Sequence, residues 1–215
     1  MSQRIWFVLV IGCAALSCGD EGPEVPEAPF SRTECIRRAV FPEPTSSPYC
    51  LPFAEGSAFT LTQSYCSPSG RSHNTRFAWD FAGPMGTEII AARAGVVVEL
   101  REHWLDTDTQ GGHENMVALR HDDESLSLYI HMMQDGVLVE LGDTVPRGGL
   151  IGWMGSSGTG FSHLHFMICL RAGLCSSPTE ITLPISYRNA VGPLDSIGGM
   201  VEGEEYLAGA CSTLP

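Results

Sequence analysis

The chain has 215 residues, 43% of them apolar, and a formal charge of −13; all of its 12 basic residues are arginine. That is room for one ordinary globular domain with extensions. The acidic balance argues against a nucleic-acid binder and against charge-driven adhesion to an anionic membrane or wall polymer.

Arg4 precedes an apolar run, Ile5 to Leu16, that is too short to cross a bilayer and reads as an export signal. It ends Ala15-Leu16-Ser17-Cys18-Gly19, which resembles a bacterial lipoprotein processing site with Cys18 as the lipidated first residue. The leucine of such sites usually stands one position earlier, so a plain secretory signal is the alternative. Both readings export the protein, and the first gives it membrane contact through a lipid. Of the 8 cysteines, Cys35, Cys50, Cys66, Cys169, Cys175 and Cys211 lie beyond the signal. None forms a Cys-x-x-Cys pair, so an exported chain would use them in disulfides. Cys169 with Cys175 is the one specific pairing expected, because Arg171-Ala172-Gly173 reads as a hairpin turn between them.

Residues 19–48 are rich in Pro, Glu and Ser and read as an acidic tether, ordered only around Cys35 to Val40 if Cys35 is bridged. From Tyr49 the chain turns to short apolar runs punctuated by Gly, Pro and Asp. The runs Phe59–Gln63, Phe77–Ala82, Glu88–Ala92, Gly95–Leu100, Asn115–Arg120, Leu126–His131, Gly149–Met154 and His163–Leu170 read as strands. The fifth and sixth would form a hairpin about Asp122-Asp123-Glu124. Such spacing with almost no helical period predicts an all-β, antiparallel domain over 49–189 with few or no helices. Residues 102–113 form a long polar loop, and 190–215 a Gly-rich C-terminal tail held by Cys211.

His163 and His165 stand two apart in one predicted strand, so both side chains share a face while Leu164 and Phe166 turn to the core. The preceding Gly155, Gly158 and Gly160 would give a tight-turning rim. Asp80 is a lone carboxylate in the apolar run Phe77–Ala82, a costly place unless it is paired or bound to a cation. His73 lies in the loop before it, and His131 ends another apolar strand. Two histidines and a carboxylate are a common catalytic zinc set. Two other motifs fall short. His113-Glu114-Asn115-Met116 has Val117 where a zinc helix would place its second histidine. Asp106 to Gly111 begins like a calcium loop but also has Val117 at the glutamate position. His103, His113 and His121 are most simply surface residues, and Tyr129, Trp79 and Phe81 core.

Several segments in series carry a resemblance. They are Ser72-His73, Ala78-Trp79-Asp80-Phe81-Ala82, Pro84-Met85-Gly86-Thr87, Ala91 to Val97, Asn115-Met116-Val117, Tyr129-Ile130-His131-Met132, Gly142 to Val145, Gly155-Ser156-Ser157-Gly158 and His163-Leu164-His165-Phe166. Over about residues 57–170 the chain resembles the lysostaphin-type, LytM-like zinc endopeptidases. The resemblance implies that His73, Asp80 and His165 hold one zinc ion and that His131 and His163 are catalytic. It implies a hydrolase of peptide bonds in peptidoglycan stems or cross-bridges, which the export signal and Cys18 would place in a bacterial cell envelope. Relatives that keep the fold but serve to activate wall amidases give the alternative reading. Two features depart from the pattern: six residues separate His73 from Asp80, where many members have three, and Ser162 stands where a proline often precedes the first late histidine.

Overall fold

The computed structural model describes residues 31–68, 73, 76–171 and 181–211. The expected signal segment with Cys18, and Cys175 of the expected Cys169–Cys175 bridge, lie outside these residues.

The described residues contain one α-helix, α1 (Arg32–Arg38), one 3-10 turn (Pro44–Ser46) and twelve strands. The strands are β1 (Ala58–Gln63), β2 (Ala78–Ala82), β3 (Glu88–Ile90), β4 (Gly95–Arg101), β5 (Met116–Arg120), β6 (Leu126–Ile130), β7 (Met132–Val137), β8 (Thr144–Val145), β9 (Leu150–Met154), β10 (His163–Cys169), β11 (Ala190–Val191) and β12 (Glu205–Ala208). A nine-stranded sheet has the order β11-β12-β1-β2-β10-β6-β5-β4-β8, and a three-stranded sheet the order β3-β9-β7. All paired strands are antiparallel. The all-β expectation is met.

Strand alternation assigns the faces of the large sheet. Trp79 and Phe81 of β2, Val117 and Leu119 of β5, Tyr129 of β6 and Leu164 and Phe166 of β10 enter one core, shared with Ile89, Met132, Ile151 and Met154 from the small sheet or its edge. Burying each such side chain contributes about 1.5–3 kcal/mol. The opposite parity, Ala78, Met116, Ala118, Leu126, Leu128, Met167 and Cys169, forms a second apolar cluster. Asp80, His163 and His165 belong to this second face, at its end.

Two expected boundaries are corrected. The tether does not run to residue 48, because from Ser31 the described chain is folded onto the domain. The Ser31 hydroxyl caps α1 by accepting from Glu34 N, and Cys35 is fully buried. A helix of this length is marginal alone; the Cys35–Cys66 disulfide anchors it. Residues 190–211 are held through Cys211 as expected, but they also pair into the sheet rather than forming a tail. β12 pairs with β1, and Tyr206 is buried in the main core, because β1 would otherwise be an open sheet edge. Cys211 bridges to Cys50, joining the two ends of the domain.

Candidate metal centre and cleft

Three neighbouring strands put the site in a row. In the register of the large sheet, Gln63 of β1 lies opposite Asp80 of β2, and Asp80 lies opposite His165 of β10. Directly opposed antiparallel residues have adjacent side chains, so the sheet itself brings the carboxylate to the imidazole. His165 Nδ1 lies 3.0 Å from Asp80 Oδ1. His73 comes from the loop after β1. Its Nε2 is 3.0 Å from His165 Nδ1 and 3.3 Å from Asp80 Oδ1. All three residues are buried.

The proton on each ring can be placed from its neighbours. A carbonyl oxygen only accepts, so His73 Nδ1–H donates to Ser64 O at 3.3 Å and leaves Nε2 bare. A bare nitrogen, a carboxylate oxygen and His165 Nδ1 then converge on one point. Bonds of about 2.0–2.1 Å in a tetrahedron place zinc ligand atoms roughly 3.3–3.4 Å apart. The observed separations of 3.0, 3.0 and 3.3 Å fit such an ion with little adjustment, and these are the three groups whose ligand atoms cluster as a possible metal site. Burial alone would raise the Asp80 pKa; the adjoining His165 and His73 imidazoles outweigh it and hold the carboxyl well below the usual range. Burial lowers the His165 pKa, keeping the ring in the neutral form a cation needs.

His131 and His163 stand beside this trio. Their rings lie 4.5 Å apart, and His163 Nε2 is 3.8 Å from Asp80 Oδ1. Each has its Nδ1–H tied to a backbone carbonyl, His131 to Ser157 O at 2.7 Å and His163 to Phe161 O at 3.1 Å, which leaves both Nε2 atoms bare. Burial, then repulsion from His163 and His165, pushes the His131 pKa down to about 3; burial lowers that of His163. A cleft of about 210 Å³ opens over the group, lined by Gln63, Asp80, His131, Gly158, Thr159, Phe161, His163 and His165. All five candidate residues from the sequence are thus brought together, His73 included.

The profile of Peptidase family M23 matches residues 74–174. Lipoprotein NlpD of Yersinia enterocolitica is 37% identical over 89 residues, which is 41% of this chain and 84% of that protein. The chain belongs to peptidase family M23. The murein hydrolase activator NlpD of Escherichia coli is 35% identical over 99 residues, 46% of this chain but 24% of that protein. The peptidoglycan DD-endopeptidase ShyA of Vibrio cholerae is 36% identical over 94 residues, 43% of this chain and 20% of that protein. The chain therefore spans about a quarter or less of the length of these last two relatives. The catalytic domain of the M23 protein EnpA from Enterococcus faecalis superposes with a TM-score of 0.45 at 25% identity, covering 57% of this chain and 88% of that one.

The M23 match begins one residue after His73, so the structure, rather than the profile, places that imidazole at the centre. It also supplies site residues that the sequence reading missed. The Gln63 amide, turned with its nitrogen toward the carboxylate, donates to Asp80 Oδ2 at 3.1 Å and accepts from His73 N at 3.3 Å. A glutamine ending a strand with buried residues at every second position was the available signal. Phe161 is 48% exposed at the cleft and stacks on His163, with centroids 4.3 Å apart. Asp106 accepts from Ser156 N at 2.9 Å and Gln134 N at 3.1 Å, tying the 102–113 loop to the glycine rim. Its oxygens serve the backbone, while Asp108 accepts from His113 Nδ1–H at 2.7 Å. Gly155 and Gly158 earn their place at the rim: a Cβ on the first would collide with Asp106 Oδ1 and lie 2.5 Å from Met133 Cα, and the second has φ +74°. Gly160 meets neither constraint. Of the three histidines expected at the surface, His103 is exposed and His113 half-buried against Trp104, but His121 is buried and that expectation is corrected.

Proposed function

We propose that this chain is an exported zinc metalloendopeptidase that hydrolyses peptide bonds of peptidoglycan stem or cross-bridge peptides. The observation that carries the reading is the convergence of His73 Nε2, Asp80 Oδ1 and His165 Nδ1 on one point beneath an open cleft. Those three residues would hold the zinc, which when bound supplies an acidified water and polarises the scissile carbonyl. The chain's own part is proton handling and orientation. With Nδ1–H fixed to Ser157 O and Phe161 O, the His131 and His163 rings can each accept a proton only at Nε2. Once one ring holds that second proton, it becomes a donor able to stabilise a developing oxyanion, while the other still accepts. A pair sharing one proton thus serves as base and oxyanion donor together, help of a kind typically worth about 10²–10⁴-fold. Gln63 orients the Asp80 carboxylate from behind.

A second reading is a module that does not cut peptides itself but activates murein hydrolases, as the Escherichia coli relative does by its name. The five assembled side chains favour the peptidase, since an activator has no need of two imidazoles with bare Nε2 atoms beside a complete ligand set. Similarity to lipoproteins supports anchorage in a bacterial envelope through a lipid on Cys18. No helix among the described residues is long and apolar enough to cross a membrane.

The test is metal analysis of the purified mature chain, followed by mass spectrometry of muropeptides from peptidoglycan incubated with it. One zinc per chain and new peptide ends are expected. Zinc without new ends, together with stimulation of an added amidase, would turn the assignment to the activator.

A further inference from the structure

We infer that segments from both ends of the chain form a clamp that positions the His73 imidazole in the metal centre, with the Cys35–Cys66 disulfide as its fixed point; the metal it serves rests on the reading above. Asp80 and His165 sit on paired central strands and need no outside support. His73 does not. It lies in the connection between β1 and β2, outside any strand; among the described residues the backbone bonds there run from Cys66 N to Arg76 O at 3.0 Å, Ser67 N to His73 O at 3.1 Å and Arg76 N to His73 O at 3.3 Å.

The base of that loop is gripped from two sides. From the N-terminal side, α1 contributes Cys35, bonded to Cys66, and Arg32, whose Nε donates to Cys66 O at 2.8 Å. Cys66 itself has φ +44°, a left-handed conformation unfavourable for a non-glycine residue, so the turn needs such external support. From the C-terminal side, Glu202 Oε2 accepts from Ser64 N at 3.2 Å and Ser67 Oγ at 2.6 Å. Ser64 Oγ donates to Met200 O at 2.7 Å, and the Tyr65 hydroxyl donates to Asp195. The same Ser64 presents the carbonyl that fixes the His73 tautomer. The C-terminal grip therefore falls on the residue that makes the His73 hydrogen bond, which is where outer-shell partners tune a metal site. The second disulfide, Cys50–Cys211, also joins the domain's two ends but bonds to no residue of the β1–β2 loop.

Two full-length proteins separate positioning from general stability: one carrying Cys35→Ser and Cys66→Ser, the other Cys50→Ser and Cys211→Ser. Zinc affinity is read by competition with a chromogenic chelator, at a temperature where both proteins are folded. The first should bind zinc about 10–100-fold more weakly than the native chain, the second within about threefold. Arg32→Ala and Glu202→Gln leave both disulfides intact and should each weaken binding by a smaller factor; they carry the test if the serine variants fail to fold. Hydrogen–deuterium exchange on the zinc-free proteins is the metal-independent arm: amides of residues 64–77 should exchange faster in the first variant and not in the second. Equal losses of affinity in the two serine variants, or unchanged exchange in the first, would overturn the clamp. A native chain that takes up no zinc would sink the metal reading alone, because the exchange arm still decides on the clamp.

Discussion

His131 carries an unusual backbone conformation for a residue with a large side chain, φ +67°, directly between β6 and β7. A left-handed conformation costs an L-residue roughly 1–2 kcal/mol, and such strain persists where the surrounding structure enforces it. Here it turns the ring out of the β6 alternation toward His163 and lets Nδ1–H reach Ser157 O. Glycine pays no such cost. His131→Gly should therefore be more stable than His131→Ala by about 1 kcal/mol, although both lose the imidazole and with it the proposed proton transfer. Urea melts of the two variants check this; an alanine variant at least as stable would show the backbone to be relaxed. His163 has ordinary strand geometry, and its Nε2 stands 3.8 Å from Asp80 Oδ1, beyond hydrogen-bond reach, so its loss should spare the proposed metal site. His163→Ala is expected to keep one zinc per chain and lose about 10²–10⁴-fold in cleavage rate, with retained turnover removing it from the mechanism. At the rim, Gly155→Ala must displace the Met133 backbone as well as Asp106. Overpacking of this kind costs about 1–3 kcal/mol, visible as a lowered melting temperature.

Among the elements, eight strands were legible because each is an apolar run bounded by turn residues, and the site was legible because its parts lie on or beside those runs. His163 and His165 share a face by parity alone, and Asp80 betrays itself as a charge in an apolar strand. What stayed hidden has identifiable causes. β7 reads Met132-Met133-Gln134-Asp135-Gly136-Val137, and its pairing with β9 is interrupted by a bulge at which Asp135 takes φ +51°; no period of two survives that. β11 and β12 are too short to show periodicity and exist because β1 needs an edge partner. α1 spans under two turns, though Ser31 three residues before Glu34 is a capping signal. His121 was hidden for another reason: it sits at the end of β5, where a polar turn begins, yet it packs edge-on against Tyr49 at 5.7 Å and its Nδ1–H donates to Ala94 O at 2.8 Å. Burial, with Arg93 adding repulsion, lowers its pKa below the ordinary value, against the pull of the Ala94 carbonyl, Asp123 and Asp122. The folded state thus binds fewer protons here than the unfolded chain. The stabilisation is fully present above the unfolded pKa of about 6.5 and is lost as pH falls through that value toward the lower folded one. Between pH 7.5 and 5.5 the native protein should lose more melting temperature than His121→Gln, a comparison that cancels the other titrating groups. Parallel curves would mean that His121 titrates alike in both states.

At the scale of the whole molecule, the two disulfides do different work. Cys50–Cys211 spans a sequence separation of 161 and Cys35–Cys66 one of 31. If cross-links act mainly by restricting the unfolded chain, the entropy of loops this long predicts about 5 kcal/mol for the first and about 4 kcal/mol for the second. Removing Cys50–Cys211 should therefore be the more damaging change to global stability, and removing Cys35–Cys66 the more damaging to zinc affinity. That crossing of effects is the signature of a domain whose ends have separate tasks. One pair ties the segment after β12 to the segment before β1. The other holds a single loop, and through it the proposed ligand His73, which no strand carries. Denaturant melts of the two serine-substituted proteins, in buffer free of zinc, measure the first half of the crossing. If Cys35→Ser with Cys66→Ser proves the less stable protein, the short bridge is holding native structure together and the loop-entropy account of the long one fails.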